Sequence, residues 1–281
     1  MDTSDDRFRG FKQLIGDEAY SRIRRSSACV VGLGGVGSWV VEGLARSGVG
    51  SISLVDLDEV CVTNINRQLQ ATTSSVGRQK AVVLAERIRE ISPTCQVRIV
   101  SKFFSRATAE EILGGGFDVL IDAIDRVENK AVLLAECVRR GIPAVSTGSA
   151  GDRLDPLGLT VSDLSTTVHD SLLQIVRKDL RTNFGFPRGE RSKFLIPCIY
   201  APKQRNTPRT GCVTGSRKSC NDGLGSSVSV TGAAGFIASS VALDILAAER
   251  RSPAYPWYLK RAAAMNAEAE EVVVCLSDSQ N

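Results

Sequence analysis

A run of glycines between two apolar stretches constrains this chain more than any other feature. Gly32, Gly34 and Gly37 fall at Gly-x-Gly-x-x-Gly spacing, with Gly35 inside it. They follow the apolar run Ser27–Val31 and precede a helical pattern of apolar residues through Trp39, Val40, Leu44 and Ala45. Glycines in this position permit a tight turn and close backbone approach to a phosphate, and the helix start adds N–H donors and a favourable dipole. Ser51–Val55 reads as a second strand closed by Asp56. That is about 20 residues past the turn, where a carboxylate meets ribose hydroxyls. The sequence contains no Gly-x-x-x-x-Gly-Lys-Ser/Thr run, which argues against a P-loop nucleotidase.

Strand and helix patterns alternate through the first half. Residues 7–25 read as an N-terminal helix, 76–91 as a helix followed by Pro93, Gln96–Val100 as a third strand, and 117–121 as a fourth closed by Asp122. Residues 130–140 read as a helix capped by Gly141, and 143–146 open a fifth strand. Such alternation implies an α/β fold: a Rossmann-like, mostly parallel sheet with helices on both faces and its ligand crevice at the carboxyl ends of the strands. Residues 1–150 are expected to form the ATP-binding part. Residues 151–281 form a loop-rich C-terminal extension expected to belong to the same compact domain. Within it, 159–161 read as a strand, 172–180 as a helix, 194–200 as a short strand, and 181–225 mainly as loops. The apolar stretch 228–248 is near the ~20 residues of a membrane span. Gly232, Gly235, Ser239, Ser240 and Asp244 interrupt it, so a buried helix of a soluble protein is expected and no clear membrane anchor.

The residues after Asp56 separate two nucleotide chemistries. Asp58, Asn66, Arg67, Gln68 and Lys80 follow within 25 positions. Hydride transfer builds no new phosphate charge and needs no such cations, whereas attack on the α-phosphate of ATP does. Arg67 and Lys80 are suited to neutralise the phosphates as pyrophosphate leaves. Asp125 offers a hard carboxylate oxygen to Mg²⁺. Surface solvation is the competing reading for each cation alone.

Net charge is only +4, yet residues 170–220 hold eleven Lys/Arg against three Asp/Glu. Such a segment suits a polyanion such as nucleic acid, or is a solvated basic loop. Eight cysteines include no Cys-x-x-Cys pair, which points to a reducing compartment, the cytoplasm, and against a disulfide framework or zinc site. No signal peptide is read at the acidic residues 1–6. His169, the only histidine, precedes Asp170 at an expected helix start and offers no catalytic triad.

Taken together, Gly32-Leu-Gly-Gly-Val-Gly-Ser38, the Asp56-x-Asp58 pair, Asn66-Arg67-Gln68, Lys80 and Asp122-x-x-Asp125 resemble the ThiF/MoeB/ubiquitin-activating superfamily. Within it, residues 60–68, Gly148-Ser-Ala-Gly151-Asp-Arg-Leu-Asp155-Pro156, Phe184-Gly185 and the run from Cys220 through Gly223 and Gly225 are similar to the tRNA threonylcarbamoyladenosine dehydratase branch. The resemblance implies that Gly35 and its neighbours cradle ATP, Asp56 the ribose, Arg67 and Lys80 the phosphates, and Asp125 the magnesium. It implies adenylation of the threonylcarbamoyl carboxylate of a modified tRNA adenosine, followed by cyclising dehydration, in a homodimer. The alternative is adenylation of the C-terminal Gly of a ubiquitin-like or sulfur-carrier protein. In the superfamily an N-terminal Arg-Phe-x-Arg reaches the partner's ATP; here Gly10 stands at the second Arg, leaving Arg7 or Arg9. Cys220 is the one cysteine singled out, because Lys218 nearby lowers a thiol's pKa. A loop thiol without catalytic role is its other reading.

Overall fold

A computed structural model describes residues 6–189, 192–201 and 225–248. The strands are β1 (Ser27–Val31), β2 (Ser51–Val55), β3 (Gln96–Val100), β4 (Val119–Asp122), β5 (Ala144–Thr147), β6 (Thr160–Asp163) and β7 (Pro197–Tyr200). They form one seven-stranded sheet in the order β3-β2-β1-β4-β5-β7-β6. Every neighbouring pair is parallel except β6 with β7. β1 is central and buried on both sides, so it reads as an unbroken apolar run rather than an alternation. Ala28 and Val30 join one core, Cys29 and Val31 the other.

The helices are α1 (Arg9–Ile15), α2 (Asp17–Arg25), α3 (Gly37–Arg46), α4 (Lys80–Ile91), α5 (Ala109–Leu113), α6 (Val127–Arg139), α7 (Ser171–Asn183) and α8 (Val228–Ala247). Residues of α2, α3, α4 and α8 build the core on one face of the sheet, those of α5, α6 and α7 the other.

Three expectations change. The single helix over 7–25 is two helices, because Gly16 takes φ 86° between them. The helix expected from 76 begins only at Lys80: Gly77 turns at φ 82°, and 77–79 bond back to the stretch after Asp56. Val60 N–H reaches Arg78 O (2.8 Å), Gly77 N–H reaches Val60 O (2.9 Å), and Lys80 N–H reaches Asp58 O (3.0 Å). The five-residue α5 is too short for periodicity to reveal.

α8 is long and apolar enough to cross a membrane, but 61% of its apolar window is buried inside the protein. Small residues bring α3 and α8 together. A Cβ on Gly43 would stand 2.2 Å from Ser239 Oγ, and one on Gly235 would stand 2.5 Å from Trp39 Cβ and 2.8 Å from Val36 O. A side chain on Gly232 would meet nothing closer than Trp39 at 3.7 Å. Helix propensity favours Ala over Gly by about 1 kcal/mol. Gly235→Ala should nevertheless lower stability by about 1–3 kcal/mol through overpacking. Gly232→Ala should be neutral or stabilising. Urea unfolding of the two variants checks the contrast.

Candidate functional site

The glycine turn leaves β1 at Gly32, whose φ of 89° suits glycine. Two close approaches fix it. A Cβ on Gly32 would lie 2.7 Å from Ala123 O, and one on Gly37 would lie 1.8 Å from Gly32 O. Gly34 faces open space, with no atom within 4 Å of a built Cβ. Gly35 faces Thr231 Cγ2 at 3.1 Å and Arg67 Cδ at 3.6 Å. Among the described residues, the N–H groups of Gly34 and Gly35 donate to no protein acceptor. The turn therefore has an open face, unpaired donors, the start of α3 behind it and a guanidinium stem beside it.

Asp56, at the end of β2, ties that strand to the turn. Its Oδ2 accepts the N–H of Leu33 at 2.6 Å, and its Oδ1 accepts the N–H of Asp58 at 2.8 Å. Burial pushes its carboxyl above the usual carboxylate value, against the pull of Lys80 and those two donors. Each oxygen retains acceptor capacity for a hydroxyl. Lys80 opens α4 and is only 5% exposed; its Nζ pairs with Asp58 Oδ2 at 2.8 Å. The cation that the sequence assigns to the phosphates is thus paired, in this structure, with a carboxylate that is itself half-exposed.

The 62–70 loop sits on the turn. Arg67 Nη1 donates to Thr63 O (2.7 Å) and Asn66 Oδ1 (3.0 Å), while Asn66 Nδ2 donates to Ser226 O (2.9 Å). The Arg67 carbonyl accepts from Trp39 Nε1 (3.1 Å) and Thr231 Oγ1 (3.3 Å). Gln68 points inward, where its Oε1 accepts from Gln70 Nε2 at 3.2 Å, and Gln70 Nε2 also donates to Leu33 O at 2.8 Å. Asn66 and Gln68 thus bond protein groups and hold the loop. Trp39, Gln70 and Thr231 were not singled out from the sequence. The indole and the threonine hide in helical apolar patterns, and only tertiary contact reveals their polar ends.

The two aspartates after β4 divide in role. Asp122 is fully buried and paired with Lys130 at 2.8 Å, whereas Asp125 is exposed and has no partner among the described residues. Beyond β5, the loop from Gly148 is clamped by the buried Arg153. Its Nε reaches Ser149 O (2.8 Å), its Nη1 reaches Ala201 O, and its Nη2 reaches Asp170 Oδ2 (3.2 Å). Asp170 also caps α7 through Leu173 N–H at 3.0 Å, and His169 before it is exposed at φ 56°. Asp152 N–H bonds Gly225 O at 2.7 Å, so the chain re-enters α8 between this loop and Asn66.

The N-terminal arginines stand elsewhere. Arg7 Nη1 bonds Glu90 O (3.3 Å), and Arg9 pairs with Asp6 (3.6 Å). Glu90 is ten positions along α4 from Lys80, roughly 15 Å away at helical rise. The thiols of Cys29 and Cys95 are pushed by burial up to about 12 and about 11, unsuited to nucleophilic work. Cys220 lies outside the described residues, as does much of the basic segment 170–220.

A second concave surface runs along α7, a cleft of about 560 Å³ lined by Arg177, Lys178, Arg181 and Arg188. Arg177 is partly engaged with Thr167 O and Oγ1, both at 2.7 Å, and Arg181 lies over the Phe194 ring at 5.2 Å. Lys178 and Arg188 are exposed.

Comparison with known proteins matches residues 9–247 to the ThiF family. Over 248 residues the chain is 40% identical to the tRNA threonylcarbamoyladenosine dehydratase of Haemophilus influenzae, covering 88% of this chain and 95% of that one. It is 40% identical over 252 residues to the Escherichia coli protein of the same name, covering 86% and 94%. The crystal structure of the E. coli dehydratase in complex with ATP is similar with a TM-score of 0.80 at 39% identity, covering 88% of this chain and 96% of that chain. A match that spans nearly the whole described fold, and relatives of nearly equal extent, decide the matter: the chain belongs to the ThiF family, on its tRNA threonylcarbamoyladenosine dehydratase branch.

Proposed function

We propose that this chain uses ATP to adenylate the carboxylate of a threonylcarbamoyl group on tRNA adenosine, and that the activated group then cyclises with net loss of one water. The observation that carries the reading is the open glycine turn with an arginine stem beside it, in a chain 40% identical to dehydratases of that name. A carboxylate oxygen attacks the α-phosphorus of ATP, and the bond to pyrophosphate breaks. A nitrogen or oxygen of the same substituent then attacks the acyl carbon, losing its proton as AMP departs and a five-membered ring closes. Ring closure is intramolecular, so orientation supplies much of the rate, and no covalent enzyme intermediate is required.

The chain's own groups have distinct tasks in this scheme. Gly34 and Gly35 offer N–H donors to the phosphates, and Asp56 accepts from the ribose. Arg67 meets the charge that develops as pyrophosphate leaves. Lys80 joins it by exchanging Asp58 for phosphate oxygen, which half-exposed Asp58 permits by turning to water. No group of three metal-ligating side chains occurs among the described residues, but Mg²⁺ is commonly held by one or two carboxylates plus substrate phosphates. Unpartnered Asp125 fits that pattern, and the ion would supply further neutralisation of phosphate charge.

The same reading gives the α7 cleft to tRNA backbone phosphates. A homodimer belongs to it as well, since Arg7 and Arg9 lie away from the chain's own turn. A cytoplasmic location suits the unpaired buried thiols of Cys29, Cys95, Cys137 and Cys198.

Mass spectrometry of threonylcarbamoylated tRNA after incubation with the protein and ATP·Mg tests the activity. Loss of one water from the modified nucleoside is expected. Pyrophosphate exchange that depends on a ubiquitin-like protein and ignores tRNA would instead establish the protein-activating alternative. Arg67→Ala and Lys80→Ala should each lower adenylation on the order of 10²–10³ without unfolding the chain. Asp56→Ala should weaken ATP binding, because ribose contacts are equal in ground and transition states. Near-full turnover in Arg67→Ala removes Arg67 from the site.

The α7 assignment is tested by charge reversal at Lys178 and Arg188, which avoids the structural bonds of Arg177 and Arg181. Lys178→Glu with Arg188→Glu should weaken tRNA binding and flatten its salt dependence, because lost phosphate contacts release fewer counterions. ATP affinity should stay as it is. Unchanged affinity in electrophoretic shifts at two salt concentrations would return the cleft to plain surface.

A further inference from the structure

The ion pair between Asp122 and Lys130 is fully buried, with both side chains at 0% exposure and 2.8 Å apart. Nothing in the reaction scheme uses it. Two charges taken from water lose hydration, and neutral side chains of similar volume often serve stability equally well. The pair's contacts suggest what it does instead. Asp122 Oδ1 accepts the N–H of Ile124 (3.1 Å), and Oδ2 accepts from Ser146 Oγ (2.8 Å). Lys130 Nζ, on the first turn of α6, donates to Ile124 O at 3.0 Å. Both backbone groups of Ile124 are thereby held, one by each member of the pair.

That grip fixes more than one residue. On one side of Ile124, the Ala123 N–H bonds Val31 O at 2.9 Å, and Ala123 O is the atom that leaves no room for a side chain on Gly32. On the other side is Asp125, exposed and without a partner among the described residues. A loop of three residues therefore joins the glycine turn to the carboxylate, and its middle residue is locked by buried charge. We infer that Lys130 and Asp122 are positioning residues that set the Asp125 carboxylate against the glycine turn, so that it meets a divalent cation on the bound nucleotide's phosphates. The inference rests on Asp125 being that carboxylate, as proposed above. A neutral, looser loop would leave the turn formed and nucleotide bound but would misplace Asp125. Partners that orient a metal ligand typically matter about 10–100-fold in metal affinity.

The test compares ATP affinity by calorimetry with Mg²⁺ and with EDTA, alongside thermal melting. The proteins are the full chain, Asp125→Ala, the double variant Asp122→Asn with Lys130→Met, and the single variant Lys130→Arg. Asn retains an oxygen that accepts from Ile124 N–H and turns its amide N–H toward Ser146 Oγ, which can accept it, and Met fills the lysine's stem. Arg keeps the charge, but its bulkier planar fork presents its donors differently from Nζ in a fully buried site, and it supplies the comparison if the double variant does not fold. Expected is an affinity in EDTA like that of the unchanged chain, and loss of about 10-fold or more of the Mg²⁺-dependent gain in every folded pair variant. If Asp125→Ala loses the gain and the pair variants keep it, the positioning role is overturned and Asp125 stands. If Asp125→Ala itself keeps the gain, the Asp125 reading fails and the inference fails with it. A lower melting temperature with the gain intact would make the pair merely structural.

Discussion

The carbonyl of Ala123 occupies the space where any residue but glycine would place a Cβ at position 32. Much of the site depends on that close approach. It brings the end of β4 against the end of β1, so the loops after both strands share one small volume. The N–H of Leu33, next in the turn, bonds Asp56 at 2.6 Å and draws the end of β2 into the same place. Three strand ends thus meet at one dipeptide. The sheet order puts β1 between β2 and β4, which makes this meeting possible without any long loop. In open parallel sheets the ligand crevice lies beyond such strand ends.

The inner strands β2 and β4 were legible because their residues are buried on both faces, leaving apolar runs that end at Asp56 and Asp122. The turn was legible because glycine spacing is a local property. The start of α4 was not. Val76, Val82 and Val83 continue a helical apolar pattern across Gly77, and only the bonds of Gly77 and Arg78 to Val60 and of Lys80 N–H to Asp58 stop the helix from beginning early. The break at Gly16 was missed for a similar reason: the amphipathic pattern runs on through it. Periodicity records which side chains are buried, and it is silent about where the backbone turns.

Site residues divide along the same line. Residue type and spacing singled out Gly32, Asp56 and Arg67, which the structure brings together at the turn. They could not show that Lys80 already has a carboxylate partner, or that Gln68 faces inward. The Arg67 carbonyl bonds Thr231, which lies 164 positions away, and no local pattern carries that information. The same holds for Arg153, whose partners include Asp170 and Ala201. These residues do not present new chemistry. They hold the loops that do, and sequence gives little sign of such work because a buried hydrogen bond can be made by many residue types.

The two ends of the sheet differ from its middle in what they present. At one edge β3 carries Gln96 and Arg98, and Arg98 reaches over to Glu111 O at 3.2 Å. At the other, β6 runs against the direction of the rest and carries Thr160 and Ser162 on its partly exposed positions. Both strands are short, at five and four residues. Edges of that kind offer an incoming strand few free backbone groups and no continuous apolar strip, which is how soluble proteins discourage strand-on-strand aggregation. Among the described residues, growth of the sheet by addition of another strand is therefore disfavoured at both ends.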